Sequence, residues 1–322
     1  MRLGYLGFAA LGAFIFASAA SADPARVKGV IALVPGTINH LAPGSIQVDI
    51  PAGELELSPY FSGTILKTLK DLGYAVMVVR DLAALGSAEV NGTQAAAELR
   101  DWYLSRFPAR DVPITLLAHS AGGFYALRAS EEARDLPIKQ LALVQVPITG
   151  ADLANLAVSS PDVASHFQFL FEKSQGVIDL RGLPEMTTER SRAFLSRLKL
   201  DPRLKITSFG CTQRPSLNPL AIMDAHYLWP IFYATSALIE GPADGVVGLH
   251  TVYGDQLNLP TADGKSLRIA ANHDVTCNLD HPQQVLDYRL FRFLGQHHVG
   301  YIAEEQARFY TAIVRALEAS SK

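Results

Sequence analysis

The feature that most constrains the fold of this chain is a series of short, almost entirely apolar segments separated by helical patterns. Segments this apolar are typical of strands covered on both faces, as in parallel sheets. Alternation of such strands with helices predicts a single α/β domain, with a mostly parallel central sheet and helices on both faces. The predicted strands are Val30–Val34, Tyr74–Val79, Ile114–Ala118, Leu141–Val146, Leu204–Phe209 and Ser266–Ala270.

Three of the intervening segments carry a clear helical pattern. Apolar residues recur at spacings of three and four between Gly92 and Pro108, which predicts an amphipathic helix with a buried face. Its predicted buried residues are Ala96, Leu99, Tyr103 and Phe107. Residues 281–296 and 301–320 predict two further amphipathic helices.

Two long segments interrupt this alternation, at about residues 150–192 and 211–241. Each follows a predicted strand, where α/β folds place the loops that cover an active site. The first segment has apolar residues at helical spacings. We therefore expect residues 150–192 to form a helical lid, with a cap helix packed on the domain as the alternative.

The first 22 residues have the pattern of a secretory signal peptide. Arg2 precedes an apolar stretch that is too short for a comfortable membrane span, and Ala20-Ser21-Ala22 has the small residues of a cleavage site. An uncleaved N-terminal anchor is the alternative. We expect cleavage after Ala22, a mature domain of residues 23–322, and a secreted or periplasmic protein.

Charge and cysteine content restrict the partners and the compartment. The chain has 28 Lys and Arg against 31 Asp and Glu, with no basic stripe, so nucleic acid is not an expected partner. No obligate protein partner is indicated either. Cys211 and Cys277 are its two cysteines, and in an oxidising compartment they predict one disulfide, with two separate thiols as the alternative.

The strongest functional signal is a serine between a predicted strand and a predicted helix. The sequence His119-Ser120-Ala121-Gly122-Gly123 follows the apolar strand directly. A nucleophile elbow, G-x-S-x-G, needs this context, and it needs small residues two positions before and after the serine. Ala118 and Gly122 occupy those positions. We therefore predict that Ser120 is a nucleophile.

A serine nucleophile needs a base and an acid that orients the base, and both follow it along this kind of chain. The turn at Asp244-Gly245 predicts Asp244 as the acid, with Asp255 as the alternative. His273 directly follows the last predicted strand and is the predicted base. His281 is the alternative base. It precedes Pro282, at the expected start of a helix, where its side chain is expected to serve as a cap or a surface group.

Two backbone N–H groups are expected to bind the oxyanion that forms when a serine attacks a carbonyl. One belongs to Ala121, the residue after the nucleophile. The other is predicted at Thr37, which follows the first strand in the sequence Pro35-Gly36-Thr37.

Together these segments resemble the α/β-hydrolase superfamily, and within it the secreted bacterial triacylglycerol lipases of the Pseudomonas and Burkholderia type. The similar segments, which span most of the mature chain, are residues 33–37, 86–123, 144–154, 183–210 and 241–255. The resemblance implies the α/β-hydrolase fold and hydrolysis of carboxylic esters of acyl lipids through an acyl-enzyme. It also places the catalytic Asp of that family at Asp244.

The chain departs from these lipases at two places. Pro35-Gly36 replaces their oxyanion-loop His-Gly. Their catalytic His is followed two residues later by an Asp that helps to bind calcium, whereas Val275 stands two residues after His273. Asp274 and Asp280 are nearby, and Asp224 resembles the second carboxylate ligand. With one ligand displaced, neither a metal nor another cofactor is expected.

The sequence therefore predicts a secreted serine esterase or lipase that acts on ester or lipid substrates, with transient contact with a lipid interface. A short-chain or polyester esterase, a thioesterase and an acyltransferase are alternatives that use the same residues. A non-catalytic binding module is the alternative from another class.

Overall fold

The computed structural model describes residues 27–36, 60–80, 82–83, 86–165, 183–212, 235–254, 257–286 and 299–321. Several sequence predictions concern residues outside these ranges: the signal peptide, Thr37, Asp224, Asp255 and the middle of the expected lid. They stay predictions.

The described residues contain one seven-stranded sheet. Its strands are β1 (Gly29–Val34), β2 (Tyr74–Val78), β3 (Ile114–His119), β4 (Ile138–Val144), β5 (Lys205–Phe209), β6 (Asn258–Pro260) and β7 (Ser266–Asn272). They lie in the order β2-β1-β3-β4-β5-β7-β6. Neighbouring strands are parallel except β6, which runs antiparallel to β7. The predicted mostly parallel sheet is confirmed.

All six predicted strands are present, and the pattern missed only β6 among the strands described. The centre of the sheet explains this success, because β1 is buried along its whole length and β3 and β4 nearly so. Such strands leave uninterrupted apolar runs in the sequence. β6 has only three residues and reads Asn-Leu-Pro, which carries no comparable signal.

Helices in the described ranges pack beside the sheet, with α2 against α3 and α1 against α7. They are α1 (Gly63–Asp71), α2 (Ala88–Arg106), α3 (Gly122–Glu132), α4 (Asp152–Ser159), α5 (Thr188–Leu195), α6 (Leu249–Val252) and α7 (Val299–Ser321). Residues 161–165 are also helical, and Leu183–Met186 and Pro282–Gln284 form 3₁₀ helices. None of the described helices is long and apolar enough to cross a membrane.

Helix α2 begins earlier than Gly92, where the sequence placed its start. Ser87 caps it, with its hydroxyl accepting the Val90 N–H at 3.3 Å. Gly92 lies inside the helix, where an added Cβ would stand 2.3 Å from Cβ of Arg128 on α3. This glycine therefore allows the two helices to approach closely. The four residues predicted to form the buried face are all buried.

A disulfide joins Cys211 to Cys277, as predicted, with 4.8 Å between their Cα atoms. Cys211 lies two residues after the end of β5, and Cys277 lies in the segment that follows β7. Parallel strands that are neighbours in a sheet end at the same edge, so the disulfide holds the chain at this edge. It closes a loop of 66 residues and thereby restrains the segment that leads to His281.

Candidate active site

Ser120 sits on the turn between β3, which ends at His119, and α3, which begins at Gly122. Its φ is +56°, in the left-handed region that a residue with a side chain rarely adopts. Such strain persists where the surrounding structure fixes the backbone, and it is common at functional sites. Only 6% of the residue is exposed.

The small neighbours of Ser120 are needed for the reason that the sequence indicated. A Cβ added at Gly122 would lie 2.4 Å from the carbonyl oxygen of Val34, at the end of β1. One added at Gly123 would lie 2.4 Å from side-chain atoms of Val146. Ala118 is fully buried. The turn therefore presses directly against β1 and the segment after β4.

His281 connects Ser120 to Asp244. Its Nε2 lies 2.9 Å from Oγ of Ser120, and its Nδ1 lies 2.6 Å from Oδ2 of Asp244. His281 is 1% exposed and Asp244 is fully buried. Since an ionised carboxylate only accepts hydrogen bonds, Nδ1 carries a proton, and in the neutral ring Nε2 is then free to accept the serine proton.

The structure does not place His273 beside Ser120; the alternative, His281, lies there instead. His273 directly follows β7, but it is exposed and its ring lies 4.2 Å from that of Tyr253. The sequence favoured a capping role for the alternative base, His281. The 3₁₀ helix after it is capped instead by Asp280, whose Oδ1 accepts the Gln283 N–H at 2.9 Å. The His281 side chain is thereby left for the serine.

Asp244 is held in a tight turn with Gly245, whose φ is +97°. Its Oδ1 accepts N–H groups from Val246 at 3.0 Å and Val247 at 2.8 Å. Oδ2 is thus left to face His281. The Asp244 carbonyl also accepts the backbone N–H of His281 at 3.0 Å, so the acid and the histidine are fixed to each other twice.

Gln145 supports this turn from the end of β4. Its Nε2 donates to the carbonyl of Val247 at 2.9 Å, and its Oε1 accepts the Cys211 N–H at 2.7 Å. The residue is fully buried and has a φ of +50°. It links β4, the disulfide and the Asp244 turn.

Ala121 and Gly36 lie beside the serine, where an oxyanion would form. Ala121 precedes the first residue of α3, at a helix end where N–H groups have no intrahelical partner. Gly36 packs on the serine, since a Cβ added there would lie 3.0 Å from Cβ of Ser120. Thr37, the predicted second donor, follows Gly36 in the chain and lies outside the described residues.

A second layer of buried polar residues lies behind this group, and nothing in the sequence singled it out. Tyr60 OH is 2.7 Å from Nδ1 of His119, and Nε2 of His119 is 3.2 Å from Oε1 of Gln284. Nε2 of Gln284 donates to Oδ2 of Asp244 at 2.7 Å. Tyr60 comes from a segment 59 residues before His119, so no local pattern could reveal the contact.

Burial keeps His119 neutral. It lowers the pKa of His119 well below its ordinary value, and the nearby His281 lowers this pKa further. The two imidazole rings are 4.6 Å apart, so two positive charges there would repel strongly. Burial likewise raises the pKa of Tyr60, which stays a protonated donor.

The described residues enclose a cavity of about 220 Å³ beside Ala121. Its apolar lining includes Phe124 and Tyr125 from α3, Met186, and Phe194 from α5. Glu89 and Arg197, which form an ion pair at 2.6 Å, also line it. A larger depression of about 780 Å³ lies between the end of β7 and α7 and shares none of these residues.

Of the carboxylates considered for calcium, Asp274 and Asp280 lie in the described residues, and they belong to no metal-binding cluster there. Asp280 is fully buried and its carboxylate caps a helix, while Asp274 is exposed. Gln283 occupies the position two residues after His281. Across the described ranges, no cluster of three or more His, Cys, Asp or Glu could hold a metal. No chemical step is assigned to a metal here.

Neither a family model nor a curated protein sequence matches the chain. Solved structures do. The Staphylococcus hyicus lipase has a TM-score of 0.56 at 13% identity, over 92% of this chain and 97% of the lipase. Lipase 1 from Pelosinus fermentans has a TM-score of 0.53 at 14% identity, over 90% and 98%. A metagenomic carboxyl esterase has a TM-score of 0.52 at 18% identity, over 91% and 76%.

Proposed function

We propose that this chain is a serine hydrolase of carboxylic esters, with Ser120 as nucleophile, His281 as base and Asp244 as acid. Its α/β-hydrolase fold, which the sequence predicted and which structures of bacterial lipases share, supports the proposal. The observation that carries this proposal is the buried hydrogen-bonded line from Ser120 Oγ through His281 to Asp244 Oδ2.

The proposed reaction moves one proton back and forth. Oγ of Ser120 attacks the ester carbonyl while Nε2 of His281 takes the hydroxyl proton. The imidazolium then gives this proton to the leaving alkoxide, which departs as an alcohol and leaves an acyl-serine. Water attacks the acyl-serine with the same proton path in reverse, and releases the acid. Asp244 holds the ring and stabilises its charged form.

The negative charge on the carbonyl oxygen needs donors that are already in place. We propose that the backbone N–H groups of Ala121 and Thr37 supply them, as the sequence predicted. The start of α3 supports the choice of Ala121, because the positive end of the helix dipole also favours an anion there.

We propose that the acyl group binds in the cavity lined by Ala121, the residue after Ser120 in the chain, where Phe124, Met186 and Phe194 offer apolar surface. At about 220 Å³ it is smaller than the roughly 300–1,000 Å³ of common ligand sites. We therefore propose carboxylic esters with short acyl chains as better substrates than long ones. Of the two substrate classes that the sequence predicted, this proposal favours short-chain esters over the esters of long-chain acyl lipids.

An oxidising compartment is the proposed location. The disulfide between Cys211 and Cys277 supports it, because such bonds are rare where thiols are kept reduced. The signal-peptide pattern of residues 1–22 supports secretion or export to a periplasm.

The test is hydrolysis of p-nitrophenyl butyrate and palmitate by the wild type and by Ser120→Ala, together with labelling by a fluorophosphonate. We expect hydrolysis and labelling of the wild type only, with butyrate preferred. Ser120→Ala should lose activity by on the order of 10⁴–10⁶-fold. If the wild type neither labels nor hydrolyses either ester, the binding-module alternative replaces the proposal.

Transfer of the acyl group to an added alcohol in preference to water would identify an acyltransferase. Faster hydrolysis of butyryl thioesters than of oxygen esters would identify a thioesterase. Both outcomes keep the serine and histidine roles and change only the substrate.

A further inference from the structure

The hydrogen bonds behind Asp244 form a chain in which each donor can be assigned. The Asp244 carboxylate accepts, so the Gln284 amide nitrogen must face it and the Gln284 oxygen must face His119. Nε2 of His119 therefore carries the proton. In the neutral ring, Nδ1 then accepts from Tyr60 OH. The Tyr60 oxygen in turn accepts the backbone N–H of Gly36.

Every donor in this chain points toward Asp244. The chain starts at Gly36, in the segment that leads into the predicted oxyanion residue, and it ends on the carboxylate that holds His281. Hydrogen bonds aligned in one direction polarise one another, and in a buried site they are stronger than in water. His119 and Gln284 are fully buried, and Tyr60 is 1% exposed.

We infer that Gln284 is a positioning residue of the reaction, and that with His119 and Tyr60 it fixes Asp244 and ties it to the segment after β1. Gln284 contacts no reacting atom and acts through Asp244. The inference rests on the proposed serine-hydrolase function. It adds a requirement that the Ser-His-Asp line does not contain: a second donor on Oδ2 of Asp244.

This second donor has a specific task. Oδ2 receives Nδ1–H of His281 at 2.6 Å and the Gln284 amide at 2.7 Å, while both donors on Oδ1 come from the turn itself. Without Gln284, the remaining donor to Oδ2 of Asp244 among the described residues is Nδ1–H of His281. This is the group that the carboxylate must orient. Gln284 therefore keeps the carboxylate plane fixed while the charge of the imidazole changes.

Among the described residues, the titratable groups next to the Gln284 side chain are Asp244, His119 and His281. Its carboxamide contacts Asp244 and His119, and His281 lies beside both. Asp280 belongs to the same turn, but its carboxylate caps that turn. A carboxyl group placed at position 284 would share its site with Asp244, which raises the pKa of one member of such a pair.

The experiment compares Gln284→Met, which keeps the size but donates nothing, with Gln284→Glu, which donates only when protonated. The substrate is p-nitrophenyl butyrate. We expect Gln284→Met to lower kcat by about 10- to 100-fold, with little change in KM, because a hydrogen bond to a charged group is lost. Its activity relative to wild type should be the same at every pH. The relative activity of Gln284→Glu should fall as pH rises and the new carboxyl loses its proton.

Tyr60→Phe tests the chain further from the reaction. Alone it should lower kcat less than Gln284→Met does. Combined with Gln284→Met, it should add little, because both changes interrupt the same chain and their effects are then not additive.

Gln140→Met is the matched control. Gln140 is also a buried, hydrogen-bonded glutamine, but it contacts α7 through Leu317 and Ser321 and is remote from Ser120 in the sheet. It should keep kcat. Circular dichroism and urea midpoints show whether each variant folds, and if Gln284→Met does not, the pH dependence of Gln284→Glu alone decides.

The inference is overturned if folded Gln284→Met keeps kcat within about twofold of wild type. It is also overturned if Gln284→Glu shows a relative activity that does not change with pH. Either result, obtained with an active wild type and an inactive Ser120→Ala, leaves the proposed function standing. An inactive wild type instead removes the proposed function.

Discussion

The serine turn and the segment that carries His281 meet in the candidate site, but different kinds of interaction hold them in place. The turn from His119 to Gly122 is set by its immediate neighbours: a buried strand, small residues and a helix that begins at once. His281 comes nine residues after the end of β7, and distant contacts hold its segment. These are the disulfide to Cys211 and the bonds to Asp244. Local sequence thus positions the proposed nucleophile, and tertiary contacts position the proposed base.

The largest expected effect separates the two histidines. His281→Ala should lower kcat for p-nitrophenyl butyrate by on the order of 10⁴–10⁶-fold, because it removes the proposed base. His273→Ala should stay within about twofold of wild type, as an exposed substitution does. The reverse result would restore His273 as the base and show that the segment after β7 rearranges when substrate binds.

Removing the disulfide should affect the histidine segment far more than the serine turn. The double variant Cys211→Ser/Cys277→Ser should lose about 4 kcal/mol of unfolding free energy, as measured by urea denaturation. Activity should disappear at lower urea concentrations than helix content does. Wild-type protein with a reductant is the control and should match the variant. Coincident loss of both signals would contradict the separation between the two regions.

The serine turn should instead be most sensitive to its glycine. Gly122→Ala places a methyl group 2.4 Å from a backbone oxygen of β1, which cannot move without disturbing the sheet. We expect a loss of about 1–3 kcal/mol in unfolding free energy, together with lower kcat. Gly300→Ala in α7, where nothing lies within 4 Å, is the matched control and should raise stability slightly. Equal effects at the two glycines would argue against the tight turn.

His119, the residue before the serine, should make stability depend on pH. The folded protein keeps it neutral, because burial and His281 lower its pKa well below 6.5. The unfolded chain binds a proton there below about pH 6.5, so the unfolding free energy falls as pH falls.

One proton corresponds to about 1.4 kcal/mol per pH unit. Urea titrations between pH 7 and 5 should show a slope smaller by this amount in His119→Asn. Equal slopes in the variant and the wild type would mean that His119 is charged in the fold.

The contrast between the two regions explains what the sequence could reveal. Strand β3, the small residues and α3 all lie within about twenty positions of Ser120, so local patterns were enough to propose Ser120 as the nucleophile. The fold class followed from the repeated alternation of strands and helices. The choice between His273 and His281 depended on which residue caps the 3₁₀ turn. Asp280, which precedes His281 in the sequence, provides this cap.

Gln284 and Tyr60 had no sequence signal at all. From sequence alone, a glutamine or tyrosine that is hydrogen-bonded to the site cannot be distinguished from one that is simply buried in the core. Their contacts join segments 165 and 59 residues apart from His119, and periodicity in the sequence carries no information at such separations.

The three-residue strand β6 also affects whether copies of this protein can associate through the edge of the sheet. A sheet edge with free N–H and C=O groups invites pairing with another chain. At this edge the carbonyl of Pro260 already accepts the Leu200 N–H at 3.1 Å, and Leu200 forms a parallel bridge with Thr261. Pro260 itself has no N–H to offer. Pro260 therefore offers a further strand neither an N–H donor nor a free carbonyl, which works against strand addition at this end of β6.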